Sequence, residues 1–359
     1  MKNTFGNSVS YTLFGESHGE EIGIIIDGLA PGIEIDEEYI KLQLARRRPS
    51  GKISTSRSEE DEFRIVSGVF KGKTTGTPIC ILIPNTSKKS SDYSKLVSLP
   101  RPGHADFAAK CKYHGYEDYR GGGHFSGRLT APLCFAGAVC KQILERKGIH
   151  VGAHILSIKG VKDTSFDAVE INAETMKTVA EKAFSVQDDM AGEKMQAVIA
   201  AAREKGDSVG GIVECAVTGL PVGVGEPMFD GLESVLAQAI FAIPAVKGVE
   251  FGAGFAVADM FGSENNDDFA YMEDGTVGTE TNNHGGSLGG ISSGMPLVFR
   301  AAFKPTPSIS MEQDTISIGK KENSKLTVEG RHDPCIVPRA VPVVEAAAAV
   351  AILDLLCRM

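Results

Sequence analysis

Two stretches of this chain, residues 130–147 and 343–356, combine helical spacing with apolar side chains nearly all the way round. A helix without a polar face has to be covered by other elements, so both belong inside the fold. The most apolar run, 341–356, contains Glu345 and Asp354 and does not read as a membrane span. Short runs rich in β-branched residues and bounded by glycine or proline, at 22–26, 79–83, 151–158, 212–217 and 297–303, read as strands. Residues 36–48 read as a helix that opens on Asp36 and closes on arginines before Pro49, and 189–205 as a more amphipathic one. Strands and helices do not alternate as a doubly wound sheet requires. The pattern predicts an α+β layered fold in one domain, 1–359, with 163–188 only a weak candidate for a domain boundary.

Charge narrows the partners. Lys and Arg number 37 against 46 Asp and Glu, a net −9, which argues against a nucleic-acid or membrane-surface role. The cations are uneven: Arg46, Arg47 and Arg48 are consecutive, and Arg101, Arg120 and Arg128 flank glycine-rich stretches. Local basic pockets in an acidic protein suit small anions. Seven scattered cysteines without a C-x-x-C pair suggest reduced thiols, and the start, MKNTFGNSVS, lacks the apolar core of a signal peptide, so a cytoplasmic protein is expected. The 41 glycines, about 11% against a usual ~7%, follow no collagen or linker pattern and imply tight turns and close backbone approaches.

Familiar phosphate loops are absent. SGVFKGKT at 67–74 has serine where a Walker loop needs its first glycine, and the following TTGTP blocks the helix such a loop feeds. Neither GGGHFSG at 121–127 nor Gly252-Ala253-Gly254 completes a dinucleotide fingerprint. The informative segments lie elsewhere. Gly15-Glu16-Ser17-His18-Gly19 places a carboxylate, a hydroxyl and an imidazole between two strands, where the alternative is a turn with a surface histidine. Arg101-Pro102-Gly103-His104-Ala105-Asp106 sets an arginine and a histidine at a helix start, with either an anion or a simple Asp106 cap in view. From Asp118 to Arg128, three adjacent glycines, two arginines and Ser126 read as an anion nest. Asn282 to Gly294 is a second glycine-rich loop, and Lys304-Pro305-Thr306-Pro307-Ser308 offers an ammonium and hydroxyls on stiff backbone. Gly330-Arg331-His332-Asp333-Pro334 puts a cation, an imidazole and a carboxylate together. Lys88-Lys89 and the acidic run 264–268 read as solvated surface. Histidines and arginines without a metal set or an activated nucleophile favour elimination or isomerisation of a phosphorylated anion over hydrolysis.

Taken in order, GESHG, RRRPS, SGVF, TTGTP, RPGHAD, DYRGGG, AVKGVE, GGISSG, KPTPS and GRHDPC resemble the chorismate synthase family over nearly the whole chain. The resemblance implies a β-α-β sandwich, a homotetramer, and a 1,4-anti elimination of phosphate from 5-enolpyruvylshikimate 3-phosphate that needs reduced FMN. It implies that His18 donates a proton near the departing phosphate with Ser17 in a relay, that His104 keeps the flavin in the right state, and that Asp333 assists proton removal. Arg47, Arg48, Arg101, Arg128 and Arg331 would hold the substrate's anions. His124, Phe125, Ser126, Ala245, Gly289, Lys304, Pro305, Thr306, Pro307, Ser308 and Arg331 would contact flavin. One departure stands out. After DYRGGG the family often has an arginine and two small polar residues, and this chain has His124-Phe125-Ser126, so His124 or Arg128 would have to serve the same anion. NADPH as reductant is left open by the missing dinucleotide fingerprint. A flavin oxidoreductase and a non-catalytic phosphometabolite binder are the rival readings, the latter disfavoured by two histidines plus Asp333.

Overall fold

The computed structural model describes residues 2–49, 53–54, 60–86, 97–272, 275–328, 330 and 332–359. Its helices are α1 (Glu37–Arg46), α2 (Asp106–Lys112), α3 (Thr130–Glu145), α4 (Ala173–Glu181), α5 (Asp189–Glu204), α6 (Leu232–Phe241), α7 (Gly262–Asn265) and α8 (Val337–Leu356). Two five-stranded sheets enclose a helical layer built on α3 and α8. The first sheet runs Thr4–Phe5, Ser10–Gly15, Glu21–Asp27, Ile79–Pro84, Arg64–Ser67, and the second Val246–Phe251, Leu297–Phe303, Gly211–Thr218, His150–Ile158, Val161–Lys162. Every pairing within them is antiparallel. α3 leans on the first sheet and α8 on the second, which is a β-α-β sandwich.

The layering follows from side-chain periodicity. Ile22, Ile24 and Ile26 lie opposite Ile83, Ile81 and Ile79, and all six are buried on the face that meets the helices. α3 and α8 are buried on nearly all sides and touch through small residues. A Cβ on Gly137 would fall 2.2 Å from Ala346 Cβ, so only glycine allows this crossing. α8 begins at Val337, six residues before the expected start. Pro338 sits in the first turn, where its missing N–H is no loss, and Pro342 is carried inside the helix rather than preceding it.

Charges in the middle layer are matched. Arg46 grips Glu345 through both terminal nitrogens at 2.6 and 2.7 Å, and Lys141 adds a third contact at 2.7 Å. Burial pushes the Glu345 carboxyl up, yet these cations outweigh it and hold the pKa at about 2. The outer face of the second sheet carries a ladder of alternating charge, in which Glu250, Arg300, Glu214 and His154 face one another across four strands. His154 also meets Asp163 at 3.0 Å, and Asp163 accepts the backbone N–H groups of Gln187 and Asp188 at 2.6 and 2.8 Å. These contacts tie both ends of the segment 163–188 to the sheet.

One surface expectation needs correction. In the run 264–268, Asp267 is not solvated: its carboxylate takes the N–H of Asn283 at 2.7 Å, the hydroxyl of Thr281 at 2.6 Å and the His284 ring. Burial raises its pKa, but these donors hold it down at about 2. The loop 285–294 is thin for chain packing, since a Cβ on Gly285 would lie 2.3 Å from Gly252 N and one on Gly286 2.6 Å from Pro296 O. Lys88 and Lys89 lie outside the described residues. SGVFKGKT folds as a hairpin, Val69–Phe70 against Lys73–Thr74.

Candidate active site

The loop between Ser10–Gly15 and Glu21–Asp27 turns inward, so His18 is 3% exposed and Ser17 fully buried, which removes the surface-turn alternative. Ser17 Oγ lies 3.2 Å from His18 Nδ1 and 3.2 Å from the carbonyl oxygens of Arg120 and Gly121. With its proton directed to a carbonyl, the hydroxyl turns a lone pair to the imidazole.

Gly121, Gly122 and Gly123 all take left-handed backbone, at φ 61, 86 and 52°. A Cβ on Gly121 would lie 2.2 Å from His18 Nδ1, and one on Gly122 would lie 3.1 Å from His104 Cε1. The triple glycine is therefore a ridge between two imidazoles, with no room for side chains. His104 has different partners from His18: its Nδ1 is 2.5 Å from Asp106 Oδ1 and 3.1 Å from Arg101 Nη2. Burial raises the Asp106 carboxyl, but hydrogen bonds from Arg101 and His104 prevail and hold it far below the ordinary range. An ionised carboxylate at that distance keeps a proton on Nδ1 and leaves Nε2 for chemistry.

On the His104 side opens a cleft of about 1100 Å³. Arg47, Arg101, His104, His124, Phe125, Ser126, Arg128, Ala245, Lys304, Thr306, Pro307, Ser308 and Asp333 all line it. Ser17 and His18 lie behind the ridge. Arg48 donates to the Glu60 carbonyl outside the cleft wall, and Pro305 is not on that wall. Gly289 is at a turn whose neighbour Gly290 accepts the Leu232 N–H at 2.8 Å, so it sits by the start of α6, while the cleft meets that helix's far end, Gln238 to Phe241. Six to nine residues of helix separate the two, a rise of ~9–14 Å. Arg331 is outside the described residues.

The arginines are not bare. Arg47 Nη2 donates to Asp61 at 2.6 Å, and Arg128 pairs with the other oxygen of the same carboxylate. Arg128 Nε also donates to Asn85 Oδ1 at 3.0 Å. Burial opposes ionisation of Asp61, but the two arginines win and lower its pKa. Arg101 is tied three ways to Asp106 and to Ser308 Oγ at 3.1 Å. Arg120 is paired with Asp118 at 2.8 Å. The expected anion nest at 118–128 is thus already satisfied from within. The helix after His104 starts only at Asp106 and spans seven residues, so Asp106 is a clamp for Arg101 and His104 more than a helix cap.

Sequence reasoning passed over Asp61 and Arg339. Arg339 binds the Asp333 carboxylate through Nη1 and the Arg47 carbonyl through Nε at 3.1 Å. Its only prior signal is a basic residue among apolar neighbours at the start of α8. Asp61 lay in an acidic run, with nothing local to single it out.

Two imidazoles with unlike partners, set beside a large cleft walled by fixed guanidinium groups, define an enzyme that moves protons on a small anionic substrate. The family model described as chorismate synthase matches residues 9–357. A chorismate synthase of Thermococcus kodakarensis is 48% identical over 353 residues, 98% of this chain and 97% of that one. One of Methanosarcina mazei is 47% identical over 357 residues, 99% and 96%. A solved structure titled "Crystal Structure of Chorismate Synthase" superposes with a TM-score of 0.76 at 30% identity, covering 98% of this chain and 93% of that one. The chain belongs to the chorismate synthase family. It is accordingly a lyase of the shikimate pathway, in a family that works with a reduced flavin. Among the described residues, no helix is long and apolar enough to cross a membrane.

Proposed function

We propose that the cleft holds reduced FMN beside 5-enolpyruvylshikimate 3-phosphate and that His18 and His104 divide the proton handling between them. The observation that carries this reading is the ridge of Gly121 and Gly122, which separates a histidine backed by Ser17 from one backed by Asp106. Different neighbours let two imidazoles hold different protonation states in one site. The fit to a flavin and a substrate is supported by size, since about 1100 Å³ exceeds the ~300–1,000 Å³ that usually houses one ligand. It is supported also by Thr306 Oγ1 and Arg47 Nε, both buried and without a hydrogen-bond partner.

In this reading Arg47, Arg101 and Arg128 orient the substrate's phosphate and carboxylates, with Arg331 as a further anchor. His18, through Ser17, supplies a proton toward the departing phosphate. His104 holds a proton at the flavin's side of the ridge, and Asp333, braced by Arg339, receives the proton removed from the ring. When bound, reduced FMN supplies electron density that stabilises the allylic position as the C–O bond breaks. His124, whose Nδ1 is 2.9 Å from the Gly15 carbonyl oxygen, stands where the family often has arginine. It joins Phe125, Ser126, Ala245, Lys304, Thr306, Pro307 and Ser308 as the flavin wall.

The chain is proposed to act as one domain in a cytoplasmic homotetramer. Seven free cysteines and the large exposed aromatics Phe229 (91%), Phe255 (83%), Phe261 (76%) and Tyr271 (84%) support that assembly and compartment. Gly289, remote from its own cleft, then contacts flavin only from a neighbouring copy. An anaerobic assay with 5-enolpyruvylshikimate 3-phosphate and reduced FMN tests the reading: chorismate and phosphate are expected in equal amounts. Folded protein that yields neither overturns it.

A further inference from the structure

The segment Glu16–Gly19 is a tight turn with Ser17 and His18 at its two central positions. The Gly19 N–H donates to the Glu16 carbonyl at 3.0 Å and closes it. The Ser17 N–H donates to the Gly123 carbonyl at 3.2 Å, which ties the turn to the glycine ridge. Both of these anchors are backbone bonds, and neither reaches the guanidinium groups of the cleft.

Asn85 makes that connection. It follows the strand Ile79–Pro84, whose last residue lies opposite Glu21, and it donates its own N–H to the Glu20 carbonyl at 3.0 Å. The residue is 4% exposed. Its Nδ2 donates to the Glu16 carbonyl at 3.0 Å and to the Gly19 carbonyl at 3.1 Å, so one NH2 group spans the first and last residues of the turn. Its Oδ1 accepts from Arg128 Nε at 3.0 Å. A side-chain amide has two donor hydrogens and one acceptor oxygen, and here the hydrogens face two carbonyls while the oxygen faces a guanidinium. The reverse orientation would set oxygen against carbonyl oxygens and NH2 against a cation, so the partners fix the amide.

Arg128 is held on its other side by Asp61 and by the Pro84 carbonyl, which Nη2 reaches at 3.2 Å. It lines the cleft, whereas Asn85 does not. A chain of direct contacts therefore runs from Asp61 through Arg128 and Asn85 to the turn of His18. That turn is already closed by its own hydrogen bond and sits between two paired strands, so the amide is not needed to form it. What the amide adds is a fixed relation between the turn and the cleft wall, since a buried polar network with every member satisfied is rigid.

We propose that Asn85 is a positioning residue for proton donation: it aligns the His18 turn with Arg128, so that the imidazole and the anion-binding guanidinium keep one geometry. The inference rests on the roles given to His18 and Arg128 above and adds to them a residue outside the cleft.

The test is steady-state chorismate formation by the full chain, anaerobically with saturating reduced FMN, with denaturant unfolding measured alongside. Asn85→Asp keeps an acceptor for Arg128 and removes both donors to the turn. Its kcat is expected to fall about 100-fold, with KM for 5-enolpyruvylshikimate 3-phosphate within about threefold. Asn85→Ala also releases Arg128 and should raise KM about tenfold besides. A double-mutant cycle with His18→Ala decides the matter. If Asn85 acts through His18, adding Asn85→Asp to His18→Ala should lower kcat less than about threefold further; should Asn85→Asp not fold, Asn85→Ala takes its place in the cycle. The same fold-loss in both backgrounds is the mark of a merely structural role and overturns the inference, as does an unchanged kcat in the single variants. If neither Asn85 variant folds, the residue is a requirement of the fold and the inference is overturned as well. His18→Ala that keeps wild-type kcat, or wild type that forms no chorismate, overturns the functional reading and the positioning role together.

Discussion

Replacing Gly121 by alanine should strike His18 without touching any ionisable group. The added Cβ would sit 2.2 Å from His18 Nδ1 and 2.8 Å from Ser17 Oγ. Ordinary contact begins near 3.4 Å, so the imidazole must retreat by about 1 Å, and displacement of that size costs roughly 100-fold in rate. The backbone adds strain, because φ is 61° and left-handed conformation costs an alanine about 1–2 kcal/mol. Gly115 supplies the control, with φ 80° and no heavy atom within 4 Å of its Cβ. Gly115→Ala should lose about 1–2 kcal/mol of stability and keep its kcat. Gly121→Ala should lose at least as much stability and about two orders of magnitude in kcat. Chorismate formation and chemical denaturation measure the two quantities. If Gly121→Ala keeps kcat within threefold while matching the stability loss of Gly115→Ala, the ridge does not position His18.

Asp61→Asn leaves Arg47 and Arg128 facing each other without a counter-charge and should cost about 3–5 kcal/mol. Because the folded pKa of Asp61 is lowered, its contribution is present above the ordinary carboxylate range and is lost as pH falls through the folded value, so the variant should lack the part of wild type's acid sensitivity that Asp61 supplies. Asp106→Asn removes the carboxylate charge and one of the two acceptor oxygens that hold Arg101 and His104, and should reduce kcat about 100-fold, with flavin affinity by ultrafiltration changed far less. His154 has a raised folded pKa: burial alone lowers it, but Asp163 and Glu214 prevail. Its stabilisation is therefore full below ~6.5 and fades as pH rises through the folded value. Thermal unfolding from pH 6 to 9 should show a decline in wild type that His154→Gln, less stable throughout, does not share. Asp354 Oδ1 accepts the N–H groups of Asn7, Ser8 and Val9 at 2.9, 2.7 and 3.0 Å, and Asp354→Asn should cost about 1–3 kcal/mol in denaturant unfolding.

What was legible beforehand and what was not divide along physical lines. Strands 79–83 and 297–303 and helix 130–147 were readable because burial imposes a local period, and local period is what a sequence displays. The start of α8 was missed because Pro342 reads locally as a stop, although packing on α3 carries the helix through it. His18, His104 and the glycine ridge were found because imidazole, hydroxyl and glycine crowd into short segments. Asp61 was not, since its meaning comes from Arg47, 14 positions away, and Arg128, 67 away. The burial of Asp267 depends in the same way on His284, 17 residues on. Long-range pairing of this kind leaves no periodic trace.

That same pairing changes how the cleft must attract anions. Four guanidinium groups at Arg47, Arg101, Arg128 and Arg339 are opposed by three carboxylates, Asp61, Asp106 and Asp333, leaving a local excess of one positive charge. An excess so small cannot by itself hold a substrate with two carboxylates and a phosphate beside the proposed flavin. What the carboxylates provide is geometry: each guanidinium is fixed before a ligand arrives, and donors already aimed cost no reorganisation when charge develops. Without them the arginines would repel one another across the cleft and turn to solvent. Net attraction then falls to cleft cations outside the matched set, Lys2, Lys247 and Lys304 among them. Binding strength and catalytic positioning are thus assigned to different cations, and substitutions in the two groups should separate affinity from turnover.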